Sequence, residues 1–484
     1  MALPACRAGW LASAALLAGG AGIPARADTL REALVMAYQT NPQLEAARAQ
    51  QRAVDENVPI ARASGLPNAS GSATYSEFVK RSEISFTNPV RSLSTSVNVS
   101  LPIYSGGQVK NSVKAAKLQV EAGKASLRGT ESGVFSSIVA AYMDVIQNEA
   151  IVGLNRKNVD VLKVNLQATS DRYEIGDLTR TDVAQSQSRL ALAQSQTRSA
   201  EATLAGAREA YIRLVGKAPE ALQPPPPLPN LPTSPEDAVQ VALDNNPDLI
   251  AAREQSKAAE KQIDVAGAGR LPKVSLFSSG SYNNYFNTLG GAQNAGFPQS
   301  DKSAQAGAQI SIPIFQGGLP AARRRQAQAQ ASAALEDEIG AERTVIAQVR
   351  SAYTQWLAAN DVIRSTQVAV DAASLSLEGV RAENSVGNRT ILDILNAEQE
   401  LLNAQVQLVT ARRNAYVAGF NLLAAMGKAE ARDLNLDNDI LYDPDVNYKR
   451  VRGKIFDWSN DPAPVARSTR TVDTPVQDGN IPQQ

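Results

Sequence analysis

The chain is written twice, and this limits its architecture more than any other feature. LREALVMAYQTNPQLEAAR at 30–48 matches PEDAVQVALDNNPDLIAAR at 235–253 with an offset of 205. Asn41-Pro42 falls on Asn246-Pro247, and Leu66-Pro67 on Leu271-Pro272. LPIYSGG at 101–107 matches IPIFQGG at 312–318 with an offset of 211, which then holds through Tyr142 and Tyr353, Gly176 and Gly387, Asp182 and Asp393, and Gly216 and Gly427. The change of offset falls between about 78 and 304, where the second copy has the longer loop. Any unit built by the first copy is therefore repeated by the second. Residues 28–217 and 234–428 are the expected repeats, joined by a Pro-rich linker over 218–233 in which Pro excludes helix. An equatorial segment and a mobile tail are expected over 429–484, whose later part is polar and poor in pattern.

Ahead of the first copy, Arg7 precedes an apolar stretch from Trp10 to Ile23, and Ala25-Arg26-Ala27 offers small residues at the cleavage positions. Residues 1–27 thus read as a secretory signal peptide. Without its two arginines the chain has 46 basic against 48 acidic residues, a net charge of −2. That balance gives no reason to expect a nucleic-acid partner. The sequence has no His, and its one Cys, Cys6, lies in the leader. His-based triads, His- or Cys-ligated metals, thiolate catalysis and disulfides are thereby excluded. There is no P-loop, GxGxxG or GxSxG either. The expectation is a non-enzyme with no catalytic residue, no metal and no cofactor.

Each copy has the same order of elements. A helix of about 35 residues comes first (29–63, 234–268), with Pro42 and Pro247 each able to start a second helix capped by Asn41 or Asn246. Two strands follow. In SLSTSVNVSLPI (92–103), Leu93, Thr95, Val97, Val99, Leu101 and Ile103 share one face, and Ser94, Ser96, Asn98 and Ser100 the other. AQAGAQISIPI (304–314) repeats this, while the strands before them, about 66–78 and 271–286, are noisier. Tyr75, Phe78, Phe86, Tyr104, Phe277, Tyr282, Tyr285, Phe286 and Phe315 fall at or near strand ends. Apolar outside, polar inside and aromatic at the ends is the pattern of a membrane barrel wall around water, although a soluble sheet with one buried face also alternates.

From about 108 to 175, and 319 to 386, the chain reads as one unbroken helix per copy. Each such helix spans ~100 Å at 1.5 Å per residue. The stripe Ile346, Val349, Tyr353, Trp356, Ile363, Val370, Leu377 is matched 211 residues earlier by Phe135, Ile138, Tyr142, Val145, Val152, Val159, Leu166. This spacing predicts coiled-coil packing. Return helices over 178–216 and 389–427 are too short to match the long ones unless each stacks on another helix. Lengths suggest 178–216 on 234–268, and 389–427 on 29–63. Four strands cannot close a barrel, and every strand edge must be paired in lipid, so the barrel must be shared between chains.

These motifs resemble TolC-type outer-membrane efflux and secretion channels: NP before a helix, LP before a strand, and (L/I)PI(Y/F)xGG after one, all in a duplicated frame over about 28–443. The resemblance implies a mainly α chain with membrane β: duplicated long coiled-coil helices plus four strands, three chains forming a 12-stranded barrel in the outer membrane and an α-helical periplasmic tunnel. It implies an exit channel of a tripartite efflux or type I secretion system. The partners would be a homotrimer, a periplasmic adaptor protein, an inner-membrane pump and outer-membrane lipid. A non-conducting periplasmic coiled-coil adaptor or structural envelope protein is the alternative.

The helix turns RYEIGDLTRTDVAQS (172–186) and AENSVGNRTILDILNA (382–397) are the expected tip. Gly176 and Gly387 suit left-handed helix ends, and Thr179-x-x-Asp182 and Thr390-x-x-Asp393 suit helix starts. By the resemblance, the second turn lines a closed entrance, with Arg389 in a constraining network and three copies of Asp393 in an acidic ring that raises its own carboxylate pKa by repulsion. The family pattern's second Asp and its Tyr are here Asn396 and Asn384. The first turn adds Thr181 and Asp182, and Gly176, Leu178, Gly387 and Ile391 are candidates for adaptor docking. Arg323-Arg324-Arg325 is a basic run just past Gly317-Gly318, to be weighed between headgroup contact and a solvated helix start.

Overall fold

A computed structural model describes residues 28–80, 88–229, 231–290, 296–436 and 441–481; the expected leader and Phe86 lie outside these. The first copy runs α1 (Leu30–Thr40), α2 (Pro42–Asp55), α3 (Asn57–Ala63), β1 (Asn68–Glu77), β2 (Arg91–Tyr104), α4 (Gln108–Glu174) and α5 (Arg180–Val215). The second runs α6 (Pro235–Asn245), α7 (Pro247–Gly267), β3 (Lys273–Asn284), β4 (Ser300–Ser311), α8 (Leu319–Ser385) and α9 (Ile391–Ala425), and α10 (Pro444–Val451) follows. Both long helices have 67 residues. No described helix is long and apolar enough to cross a membrane.

The repeated NP motif acts twice as a splice between helices. Asn41 Oδ1 accepts from the N–H groups of Gln43 (2.9 Å) and Leu44 (3.4 Å), capping α2, while its Nδ2 donates to the Leu214 carbonyl at the end of α5 (2.9 Å). Asn246 does the same: Oδ1 caps α7 at Asp248 and Leu249, and Nδ2 donates to Ala425 O of α9 at 2.9 Å. One amide thus satisfies orphan groups of two helix ends, and Pro at the first helical position has no N–H that needs an acceptor. This corrects the stacking expected from lengths. α5 continues into α2, and α9 into α7, each within its own copy. The reason is geometric. Each return helix lies alongside its own long helix, and the short helix of the same copy packs on that long helix too, while α7 also packs on α4.

The wall therefore has four columns in the order α5 with α2, then α4, then α9 with α7, then α8. A core of Phe135, Ile138, Tyr142, Leu204, Tyr211 and Phe420 joins the columns to α1, the linker and residues 429–436 and 441–442. Tyr142 hydroxyl donates to Gln223 O (2.7 Å) and Tyr353 hydroxyl to Thr233 O (3.0 Å), so equivalent tyrosines hold the two ends of the linker.

The four strands form one antiparallel sheet, β1-β2-β3-β4. Its free edges are β1 and β4. The last strand runs over 300–311, not 304–314. Leu101–Tyr104 extend β2 because β3 pairs with this stretch, whereas Ile312–Phe315 follow an edge strand and have no pairing partner among the described residues. The tail expected to be mobile is mostly exposed over 452–481 and makes specific contacts near its end. After α10 it turns back along α5, where Arg208 donates to Asp478 O and Asn480 O (both 2.9 Å) and Arg156 to Gly479 O (3.2 Å). Charged groups that bind main-chain carbonyls tolerate a polar, patternless sequence, so composition gave no sign of it.

Candidate functional site

Three regions bear on function: the sheet, the helix turns at the far end of the long helices, and the belt where the NP splices sit. On the sheet, register lines up Ser72, Ser96, Ser281 and Ser303 in one row across all four strands. Ser70, Asn98, Ser279 and Gln305 form the next such row. Ser72 and Ser96 hydroxyls are 2.9 Å apart, and those of Ser281 and Ser303 2.8 Å. The opposite face carries Val97, Val99, Leu276 and Ile310, all exposed. One wettable face and one lipid-compatible face result. One detail corrects the sequence reading and a second adds to it. Phe277 lies mid-strand on the polar face over Gly307, not in a girdle. That face also holds charges at its ends, Lys273 and Asp301.

At the turns, Gly176 (φ 84°) and Gly387 (φ 82°) end the long helices in left-handed geometry. The caps form as expected. Thr179 and Asp182, and Thr390 and Asp393, each make a reciprocal capping box. Hydrogen bonds from Thr390 hold the Asp393 carboxyl below the usual range, with Arg389 adding to the effect, and Thr179 lowers Asp182 likewise. Within one chain, donors from its own cap favour the ionised form of Asp393; the upward shift expected of it concerns a ring of three copies. Arg389 Nε donates to Glu383 (2.6 Å), and Asn384 Nδ2 to Arg389 O (2.7 Å), so both brace their own turn. The first turn has a staple of reversed polarity, Arg172 to Asp177 (2.7 Å). Leu178 is half-buried, Ile391 is half-buried and Thr181 is exposed.

The bonds that join one hairpin to the other were missed by the sequence reading, apart from Asn396. Arg189 of α5 donates to Asn396 Oδ1 of α9 (2.8 Å). The nearly buried Glu398 accepts from Asn165 of α4 (2.9 Å) and from Arg381 of α8 (3.0 Å). A glutamate between Leu395 and Leu402 in an apolar seam was the available signal, since a buried charge must be paired.

In the belt, Glu131 accepts from Ala431 N–H (2.6 Å), and burial pushes its carboxyl up to about 7. Arg128 pairs with Glu430 and Lys124 with Asp445, tying α4 to the segment after α9. Among the described residues no group of three or more metal-ligating side chains comes together.

The family described as outer membrane efflux protein matches residues 33–217 and 238–428, one match per copy. Outer membrane efflux protein BepC of Brucella suis is 33% identical over 448 residues, covering 92% of this chain and 96% of that protein. Outer membrane protein TolC of Vibrio cholerae is 27% identical, covering 84% and 92%. The CmeC outer membrane channel of Campylobacter jejuni shares the fold, with a TM-score of 0.72 at 18% identity over 88% of this chain and 89% of that one.

Proposed function

The chain belongs to the outer membrane efflux protein family, and from that premise we propose that three copies close one barrel and one tunnel. It is an outer-membrane exit channel with its helical part in the periplasm. The observation that carries a barrel shared between chains is the pair of open edges, and the number three follows from the family. β1 and β4 are open, and an open edge is not tolerated in lipid. Three sheets give twelve strands, enough for a water passage lined by the serine rows. The long helices then reach ~100 Å from the membrane. No bond is made or broken in the chain; a periplasmic adaptor and an inner-membrane pump supply cargo and energy. Type I secretion and drug or metal efflux share this conduit.

The entrance is the end carrying the two turns. Asp393, kept ionised by its capping box, makes it favour cations, and the Arg189–Asn396 and Asn165–Glu398–Arg381 bonds hold the hairpins together there. Gly176, Leu178, Gly387 and Ile391 are the surface offered to an adaptor. Opening is a displacement of one hairpin against the other once these bonds are lost. Imaging of detergent-extracted protein tests the assembly, with a threefold rod expected and a stable monomer refuting it. In planar bilayers, Arg189→Ala and Arg389→Ser should each raise single-channel conductance, Arg189→Ala more; equal conductance to the unaltered chain removes the bond concerned from the gate.

A further inference from the structure

We propose a binding site for anionic groups inside the conduit, where barrel meets tunnel; it rests on the channel reading above and names a class of cargo. A cavity of about 480 Å³ lies between the end of α7, the start of α8 and the foot of the sheet. Its polar lining includes Lys273, Arg323, Gln108, Gln262, Gln326 and Gln330, and no carboxylate lines it.

Register decides which face of the sheet carries Lys273. Lys273 pairs with Ser311 and shares a face with Ser275, Ser279 and Ser281, the face that lines the water passage. Lys273 Nζ reaches Gln108 Oε1 at only 3.5 Å, which leaves its charge for a ligand. Charge along the chain agrees. Between Asp264 and Glu336 the sequence has six cations, Arg270, Lys273, Lys302, Arg323, Arg324 and Arg325, and one acid, Asp301. Asp301 and Lys302 both lie at the opposite end of the sheet, paired with Asn283 and Tyr282, which leaves five cations and no acid near the cavity's end. Arg324 fills in behind, with its Cδ within 3.9 Å of where a Cβ on Gly267 would stand.

The duplication shows that this is not a by-product of the fold. The first copy has Asn68 where the second has Lys273, and Ser112 where it has Arg323, in the same backbone elements. At these two lining positions the cations are specific to one copy, while the start of α4 carries its own lysines at Lys110, Lys114 and Lys117, so the trimer has three such sites. Two cations with amide donors around a polar cavity fit a phosphate, sulfate or carboxylate group. In a narrow passage with low-dielectric walls, such a ring concentrates anions locally. It also stands opposite in sign to the ionised Asp393 at the entrance, so an anion that passes the entrance meets an attractive site beyond it.

The test uses the full mature chain in planar bilayers, with inorganic triphosphate added on the barrel side. Triphosphate should reduce the current saturably, less so at high salt. Lys273→Gln with Arg323→Gln should weaken the block by about tenfold or more, and Lys273→Arg with Arg323→Lys should retain it. Current that triphosphate does not affect in the unaltered chain overturns the site, as does a block unchanged in the Gln pair. Loss of binding to phosphatidylglycerol vesicles in the Gln pair, with block intact, would show that the cations face lipid and also overturns it. Absence of any current refutes the channel reading instead.

Discussion

α4 and α8 have the same length, the same leading glycines and the same apolar stripe, yet α4 buries 20 residues and α8 buries 7. Phe135, Tyr142 and Val152 are fully buried, while Ile346, Trp356 and Ile363 are only half covered. The reason is position. α4 stands between two columns and under the belt, and α8 is the last column. Where the first copy has Lys124, Arg128 and Lys157, the second has Leu335, Ile339 and Val368, all exposed. In the first copy, Lys124 and Arg128 pair with the belt. The cover for the second must come from outside the chain. Duplication copied local structure, and burial then diverged with neighbours.

Core truncation tests this contrast most strongly. Phe135→Ala should cost about 3–5 kcal/mol. Ile346→Ala, at the equivalent site, should cost about 1–2 kcal/mol because less surface leaves water. Thermal unfolding in detergent reads both, and equal costs would mean that assembly covers α8 as fully as α4.

The NP splices should instead behave alike. Asn41→Ala and Asn246→Ala should each destabilise by about 1–2 kcal/mol, since each loses a cap and a bond to the preceding column. A large difference between them would show that one splice is carried by something else.

Glu131 distinguishes the copies by pH. Its folded carboxyl titrates near about 7 rather than 4.5, so between these values the folded chain binds more protons than the unfolded one. Stability contributed by this group is full below pH 4.5 and is lost as pH rises toward 7. Glu131→Gln should flatten that part of the melting-temperature profile. Glu342→Gln, at the exposed equivalent, should leave it as it was.

The smallest effect separates the two turns. Asp393→Asn and Asp182→Asn each weaken one capping box, so their effects on stability should match. Reduced cation selectivity is expected for Asp393→Asn alone. Equal changes in reversal potential would remove the entrance role of Asp393.

Much of the site was legible because it is local. Gly176, Gly387 and the Thr-x-x-Asp starts act within a few residues of themselves, so spacing alone specifies them. The role of Arg389 was legible only in part: it has an ionic partner, but the partner is Glu383 in its own turn. Glu398, Arg189 and the docking of the tail on Arg208 depend on residues hundreds of positions away, which no window of sequence displays.

The sequence by itself determined the duplicated order of elements, the helix ends, the alternation of the strands and the inability of one chain to close a barrel. These follow from interactions within a turn of helix or a pair of neighbouring residues, and from counting strands. Tertiary structure decided which return helix continues into which short helix, and which long helix is covered. Two copies carry the same signals, so Asn41 and Asn246 were equally good partners for either α5 or α9. Only the path of each hairpin back along its own long helix made the choice.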